Sequence, residues 1–295
     1  MVSANPDAGF EYPYYLLIPK SLSNLEKRYL IVETNNSGVQ TEFYTHIEKT
    51  RMEILGQGPG PMVAGDLKMP LLVPVFPRSK KSVLVYTHAL DRDSMMIKGK
   101  QSERLDLQLL SMVKDARKLL ESRKLFVEKK FVMVGFSASG TFSNRFALLH
   151  PSSLLAVSSG AVNSMPILPV VSINNKRLIY PIGISDIEEI TDNEFDRESW
   201  ISLPQMIYMG AVDDNDALQF SDAFSDDERK IVYEAVGKDM AKRWSKSQSI
   251  YLDQNANATL ITYGQVGHWT NGRIRDDIVN FVRSSILKDI RDSKK

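Results

Sequence analysis

One segment, residues 131–140, constrains the fold of this chain more than any other. The apolar run 131–134 predicts a buried strand, and residues 141–149 have a helical pattern. That helix is expected to end before Pro151, because the residue preceding a proline is disfavoured in helical geometry. Between the two elements lies Ser137, flanked by small residues. The segment therefore predicts a strand, a sharp turn and a helix, with a serine hydroxyl at the apex of the turn.

The residues around this serine are small, as such a turn requires. A strained strand-to-helix turn brings the backbone close to its neighbours, so little bulk is tolerated two positions before and two positions after the serine. These positions hold Gly135 and Ser139, with Gly140 next, so the pattern is G-x-S-x-S-G where G-x-S-x-G is usual. An ordinary tight turn after a buried strand has the same composition, and this interpretation stays open.

An acidic loop follows a second apolar segment. Residues 204–210 predict a buried strand, and Asp213 lies three positions after the glycine that ends it. Asp214 and Asp216 lie in the same loop and remain alternatives to Asp213, and a solvated Asp/Asn turn would look the same. The loop does not match a calcium-binding EF-hand, because the sixth position counted from Asp214 is Gln219 and not glycine.

The chain contains four histidines, and their sequence contexts differ. His46 lies in a polar, helical pattern and is expected at the surface. His150 precedes a proline at a helix end, where a structural role is expected. His88 follows a strand end and either lines a pocket or is a satisfied loop histidine. His268 alone follows the last predicted strand, Ala258–Tyr263, in a glycine-containing loop.

The chain order Ser137, Asp213, His268 is that of the α/β-hydrolases, and the sequence resembles this family, most of all its carboxylesterases and related serine esterases. The residue-level match covers the serine turn, the acid loop and the Gly-His loop, and the order of strands and helices fits from about Tyr14 onward. The resemblance implies an α/β-hydrolase fold, with a mostly parallel central sheet flanked by helices and a cap or lid insertion. It also implies that Ser137 attacks an acyl carbonyl, that His268 transfers the proton, and that Asp213 orients the imidazole.

Acyl transfer also needs hydrogen-bond donors for the developing oxyanion. The N–H of Ala138, at the amino end of the predicted helix, is one candidate. The second is expected in the loop 33–38, from Asn35 or Asn36, although the His-Gly motif of many esterases is missing there. Residues 88–90 are an alternative source of this donor.

Residues 161–203 interrupt the alternation of strands and helices. The resemblance implies a cap in this region, and the several prolines and the lack of clear periodicity favour such an insertion within a single α/β-hydrolase domain that spans residues 1–295, although an ordinary long connection is the alternative. Trp200 in this segment, together with His88, is predicted to contact the substrate.

Residues 56–61, with three glycines and two prolines, predict a loop.

Composition excludes several classes of protein. The 37 Lys and Arg residues nearly balance the 36 Asp and Glu residues, so nothing favours a nucleic-acid partner. The absence of cysteine excludes a disulfide framework, a cysteine metal site and a thiol nucleophile.

No apolar run is long enough to span a bilayer, and the first residues do not resemble a signal peptide. The expected location is the cytoplasm, or outside the cell as a mature form. The oligomeric state cannot be deduced.

The sequence therefore predicts a serine hydrolase that cleaves a small-molecule carboxylic ester through an acyl-enzyme, without a metal or an organic cofactor. Thioester, amide and polyester substrates suit the same three residues, and they remain open. The alternative is a non-catalytic small-molecule binding or regulatory protein built on a hydrolase fold, because a fold does not fix a function.

Overall fold

The computed structural model describes residues 1–36, 40–162 and 165–295. Two predicted segments are only partly described. In the loop 33–38, predicted to supply an oxyanion donor and called the donor loop below, Ser37 and Gly38 lie outside the described residues. In the predicted cap, so do Asn163 and Ser164. Within them, nine strands occur: β1 (Tyr14–Leu17), β2 (Ile31–Val32), β3 (Leu71–Pro74), β4 (Phe131–Phe136), β5 (Leu154–Gly160), β6 (Ser172–Ile173), β7 (Lys176–Arg177), β8 (Gln205–Gly210) and β9 (Ala258–Tyr263).

Seven of these strands form one twisted sheet in the order β1-β3-β2-β4-β5-β8-β9. Strand β1 runs antiparallel to β3, and the remaining neighbours are parallel to one another. The short strands β6 and β7 form a separate antiparallel pair. Because the parallel strands share one direction, the loops that follow β2, β4, β8 and β9 leave the sheet at the same edge.

Ten α-helices occur in the described part of the chain. They are α1 (Phe43–Ile54), α2 (Pro59–Leu67), α3 (Arg92–Met95), α4 (Leu105–Ser122), α5 (Ala138–Leu149), α6 (Ile187–Thr191), α7 (Arg197–Ser202), α8 (Asp226–Ala235), α9 (Met240–Asp253) and α10 (Gly272–Asp292). None of them is both long and apolar enough to cross a membrane.

The apolar core lies on both faces of the sheet. In β4, Phe131 and Met133 pack in one cluster with α4 and α5, whereas Val132 and Val134 pack in a second cluster with α2 and α10. Successive side chains of a strand point to opposite faces, so a strand buried on both faces is apolar throughout. The predicted α/β class, a mostly parallel sheet flanked by helices, is confirmed.

The loop predicted over residues 56–61 is wrong in its second half, because α2 begins at Pro59. Proline is tolerated in the first turn of a helix, where its missing N–H would have no intrahelical acceptor. Gly60 is required there, since an added Cβ would lie 2.6 Å from a carboxylate oxygen of Glu33. The glycines and prolines of this segment therefore begin a helix.

The predicted cap segment contains β6, β7, α6 and α7. Its Leu178 and Ile182 pack in a third apolar cluster with Phe224 and with Val232 of α8. An ion pair of 2.6 Å between Arg92 and Asp186 fastens α3 to this segment. The segment is thus packed against later parts of the chain, and its role as a lid stays a prediction.

The contact between α5 and β5 requires a glycine, and Gly140→Ala tests this requirement. An added Cβ would lie 2.2 Å from the backbone oxygen of Gly160, so we expect a loss of about 1–3 kcal/mol in the free energy of unfolding. Gly65→Ala is the control, because its Cβ would enter open space within α2 and should add about 0.5–1 kcal/mol. Denaturant unfolding measures both changes, and equal stabilities of the two variants would contradict the close approach.

Candidate active site

The predicted serine turn is present between β4 and α5. Ser137 adopts φ 60° and ψ −125°, a strained conformation for a residue with a side chain. Its N–H donates to the carbonyl of Gly160 over 2.9 Å, which fastens the turn to the neighbouring strand β5. A Cβ at Gly135 would lie 2.3 Å from the carbonyl oxygen of Ser139, so only glycine fits before the turn. The backbone thus holds the partly exposed Ser137 out from the sheet.

Ser139 replaces the second glycine of the usual pattern, and the structure explains why a serine fits. The Phe136 N–H donates to Ser139 Oγ, and that hydroxyl donates to the Phe136 carbonyl, each over 2.9 Å. The close approach to β5 occurs one residue later, at Gly140. The departure from the pattern therefore leaves the geometry of the turn intact and adds a hydrogen-bonded brace.

The three residues predicted from the chain order lie in hydrogen-bond contact. His268 Nε2 is 2.9 Å from Ser137 Oγ, and His268 Nδ1 is 3.1 and 3.0 Å from the two carboxylate oxygens of Asp213. Because a carboxylate only accepts, Nδ1 carries the proton and Nε2 presents its lone pair to the serine hydroxyl. The Asp213 carboxylate is 1 % exposed, whereas the His268 side chain is 26 % exposed. The ring can therefore meet an incoming molecule while the acid stays shielded.

The acid loop separates Asp213 from the two alternatives. Asp216 makes an ion pair of 2.6 Å with Arg243, whose side chain is fully buried. It also caps the short turn that follows, accepting from the Leu218 N–H. Asp214 is exposed. Of the three acids, Asp213 alone is found at His268, and Asp216 anchors the loop.

The sheet explains why these distant residues meet. Ser137 follows β4, Asp213 follows β8 and His268 follows β9, so all three leave the same edge of the sheet. In open parallel sheets, the carboxyl ends of the strands are where ligands bind. The ring of Phe136 packs against the His268 imidazole at 4.9 Å between centroids and supports its position.

The candidate oxyanion donors lie at this edge as well. Ala138 is the first residue of α5, where N–H groups have no intrahelical acceptor. The side chain of Asn36 donates to the Phe136 carbonyl, and its backbone N–H is 3.3 Å from a Glu53 carboxylate oxygen. The side chain of Asn35 bonds the backbone of Phe76 in both directions, at 2.9 and 3.0 Å. The loop after β2 is thus tied to the serine turn and to the end of β3.

Three residues lie elsewhere than the sequence indicated. His88 and Trp200, predicted to contact a substrate, are both fully buried and offer no surface to one. His88 donates from Nε2 to the Phe76 carbonyl at 2.9 Å, and burial lowers its pKa to about 3. Trp200 packs on Tyr251 in the main core. His46, expected at the surface, is buried beside His88. Aromatic and imidazole side chains suit a core as well as a pocket, so sequence could not separate the two.

An unexpected carboxyl lies beneath the serine turn. Glu33, which follows β2, accepts from the Gly60 N–H over 2.8 Å and bonds the hydroxyl of Ser139. Desolvation, with a smaller effect of the nearby Glu53 in the same direction, raises the pKa of Glu33 to about 8 against the opposing effect of these two hydrogen bonds. The donor loop, α2 and the serine turn therefore share one polar contact that no sequence motif indicated.

Asn215 is a second residue at the site that no sequence motif indicated. Its side-chain Nδ2 is 3.1 Å from His268 Nε2, the same ring nitrogen that faces Ser137. The only signal in the sequence was its place in the acid loop, where an asparagine is expected as a turn former.

Across the described ranges, no group of three or more His, Cys, Asp or Glu residues could hold a metal ion.

Two solved structures are similar to this chain over most of its length. A poly(aspartic acid) hydrolase-1 from Sphingomonas sp. KT-1 is 15% identical with a TM-score of 0.56, over 93% of this chain and 91% of that one. LpqC, a poly(3-hydroxybutyrate) depolymerase from Bordetella parapertussis, is 12% identical with a TM-score of 0.51, over 96% and 85% of the two chains. The chain has the α/β-hydrolase fold. No family model matches it, and a search of curated proteins gives no match. These two similarities confirm the α/β-hydrolase fold that was predicted from the serine turn, the acid loop and the Gly-His loop.

Glu33→Gln tests the carboxyl beneath the serine turn of this hydrolase fold. A carboxyl whose pKa rises from 4.5 to about 8 on folding holds its proton more tightly in the folded state. The stability it supports is therefore present below pH 4.5 and is lost as the pH rises towards 8. Relative to Glu33→Gln, we expect the wild type to lose more than about 1 kcal/mol between pH 5 and pH 8.5.

Denaturant unfolding at a series of pH values measures this difference. Glu194→Gln, on an exposed side chain, is the control and should follow the wild type at every pH. Parallel stability curves for the wild type and Glu33→Gln would contradict the assignment.

Proposed function

We propose that this chain is a serine hydrolase that cleaves carboxylic esters through an acyl-enzyme intermediate. The observation that carries the proposal is the position of the His268 ring, 2.9 Å from Ser137 Oγ and 3.0 Å from Asp213. This arrangement supplies a nucleophile, a base and a group that orients the base, which acyl transfer requires. The fold shared with the two hydrolases supports the proposal as analogy.

In the first half of the reaction, Ser137 Oγ forms a bond to the acyl carbon while its proton passes to His268 Nε2. The buried Asp213 carboxylate holds the imidazole in the correct tautomer and stabilises the imidazolium that forms. The tetrahedral intermediate then expels the alcohol, which takes the proton from Nε2. In the second half, water attacks the acyl-enzyme with His268 as base, and the carboxylic acid leaves.

The developing oxyanion is stabilised by the N–H of Ala138 and by a backbone N–H from the loop after β2. Ala138 begins α5, so the positive end of the helix dipole adds to its hydrogen bond. In that loop Asn35 is favoured over Asn36, because the Asn36 N–H already faces Glu53. Residues 88–90 are disfavoured as a source, since His88 is directed to the Phe76 carbonyl.

The substrate is proposed to be a neutral ester of modest size. Val212 and Trp269, the sequence neighbours of Asp213 and His268, are 63 % and 54 % exposed, so apolar surface flanks the site. Residues 161–203 are proposed to act as a lid over it. Because LpqC is named as a depolymerase of a polyester, a polyester belongs in the substrate series beside short esters.

Ser137→Ala tests the nucleophile. We expect kcat for hydrolysis of a p-nitrophenyl acyl ester to fall by roughly 10⁶-fold while thermal unfolding stays close to wild type, since the change removes one hydroxyl. A fluorophosphonate probe should label the wild type at Ser137 and leave the variant unlabelled. Ser152→Ala, on an exposed serine, is the control for both measurements.

Full esterase activity in Ser137→Ala would overturn the assignment of the nucleophile. A wild type that neither hydrolyses esters nor takes up the probe would favour the alternative of a non-catalytic binding or regulatory protein on this fold.

Asp213→Asn tests the acid against its neighbours. An amide in this place favours the wrong imidazole tautomer, so we expect kcat to fall by roughly 10³- to 10⁴-fold with little change in fold. Asp214→Asn should retain wild-type kcat, because the Asp214 side chain is exposed. Steady-state kinetics on the same ester measures both variants. A larger loss in Asp214→Asn than in Asp213→Asn would reverse the assignment of the acid.

A further inference from the structure

Asn215 contacts both ends of the Asp-His pair. Its backbone N–H donates to Asp213 Oδ1 over 3.0 Å, and its side-chain Nδ2 lies 3.1 Å from His268 Nε2. That same nitrogen is 2.9 Å from Ser137 Oγ. The turn from Asp213 to Asn215 thus places an amide directly beside the atom that must exchange protons during ester cleavage.

The chemistry of the ring decides which amide atom faces it. Since His268 Nδ1 carries its proton towards Asp213, Nε2 is an acceptor, and the atom that meets it favourably is the NH₂ group of Asn215. The serine hydroxyl and the amide are therefore two donors directed at one lone pair. The amide supports the resting form of the base while it waits beside the nucleophile.

This arrangement changes once Ser137 has given up its proton. The protonated Nε2 has no lone pair, so the amide N–H of Asn215 faces another N–H and must find a different acceptor. To receive the proton, the leaving-group oxygen must lie within hydrogen-bond reach of Nε2. An amide nitrogen 3.1 Å from Nε2 can hydrogen-bond an oxygen that approaches Nε2 from the side of Asn215.

Resting on the proposed function, we infer that Asn215 is a further catalytic residue, whose Nδ2–H donates a hydrogen bond to the leaving-group oxygen. As the bond between the acyl carbon and that oxygen breaks, its electron pair moves to the oxygen, which takes the proton from His268 Nε2. Asn215 keeps its own proton and lowers the energy of the charge that develops. In deacylation, the same amide faces the oxygen of the attacking water.

This role makes a prediction about substrate class. An alkoxide leaving group develops much charge and depends on a donor, whereas p-nitrophenolate is stable and depends on it little. The site is accordingly suited to esters of aliphatic alcohols, and the contribution of Asn215 is visible in the comparison of two leaving groups that share one acyl group.

The experiment compares kcat/KM for ethyl acetate and p-nitrophenyl acetate in Asn215→Ala and Asn215→Leu. We expect kcat/KM to fall about 10- to 100-fold for ethyl acetate and less than about threefold for p-nitrophenyl acetate. Leucine has the same number of side-chain heavy atoms and the same branching as asparagine but cannot donate, so it tests the same step if the alanine variant is poorly folded. Both variants keep the backbone N–H that bonds Asp213.

Asp214→Asn is the matched control in the same loop and should leave the ratio of the two kcat/KM values unchanged. Labelling of Ser137 by the fluorophosphonate, whose leaving group is fluoride, should proceed in both Asn215 variants at close to the wild-type rate. This measurement separates the inference from the proposed function, because a wild type that is not labelled rejects the function itself.

Two results would overturn the inference while the proposed function stands. Equal losses for both acetates, with slower labelling, would show that Asn215 acts only by positioning His268. Unchanged kcat/KM for ethyl acetate in a folded variant would show that the amide does not take part. A selective loss for ethyl acetate supports the inference.

Discussion

The hydrogen bond between His268 Nε2 and Ser137 Oγ joins residues that lie 131 positions apart in the chain, and the proposed chemistry depends on it. It forms because parallel strands deliver both loops to one edge of the sheet. It also requires Ser137 to stay in a strained backbone conformation, which the neighbouring β5 enforces through the Gly160 carbonyl. The close approach at Gly140 leaves the serine turn no room to relax. Strain at Ser137 is thus balanced by the packing of two strands and a helix.

Neighbouring polar residues of the acid loop make different contacts. Asp213 is shielded and meets the imidazole, whereas Asp216 makes a short ion pair with the buried Arg243. That pair fixes the loop from behind, so the position of Asp213 does not rest on a flexible turn alone. Asn215 lies between them and directs its amide at the other ring nitrogen. The segment 213–216 could be an ordinary surface turn by its composition, but here it is held by His268 at Asp213 and by Arg243 at Asp216.

The polar groups beneath the serine turn show how the departure from the usual motif is accommodated. Ser139 braces the Phe136 backbone and also meets Glu33, whose pKa is raised to about 8 by desolvation. A glycine at this position could make neither contact. Asn36 is held against the Phe136 carbonyl, so the loop proposed to supply an oxyanion donor is anchored to the backbone next to Ser137.

The sequence by itself determined the alternation of strands and helices around the serine turn, and its resemblance to the α/β-hydrolases predicted that Ser137 and His268 meet an acid of the loop 213–216. These are local signals, since strand runs, glycine spacing and the end of a strand are legible within a few residues. Only the tertiary structure decided which side chains are buried and which reach the site. It placed Trp200 in the core and brought Asn215 to the imidazole of His268. Burial depends on which elements pack together, and the partners lie far apart in the chain. The tertiary structure also decided that a helix begins at Pro59, where a loop was predicted. Glycine is needed at position 60 because the side chain of Glu33 packs closely against it.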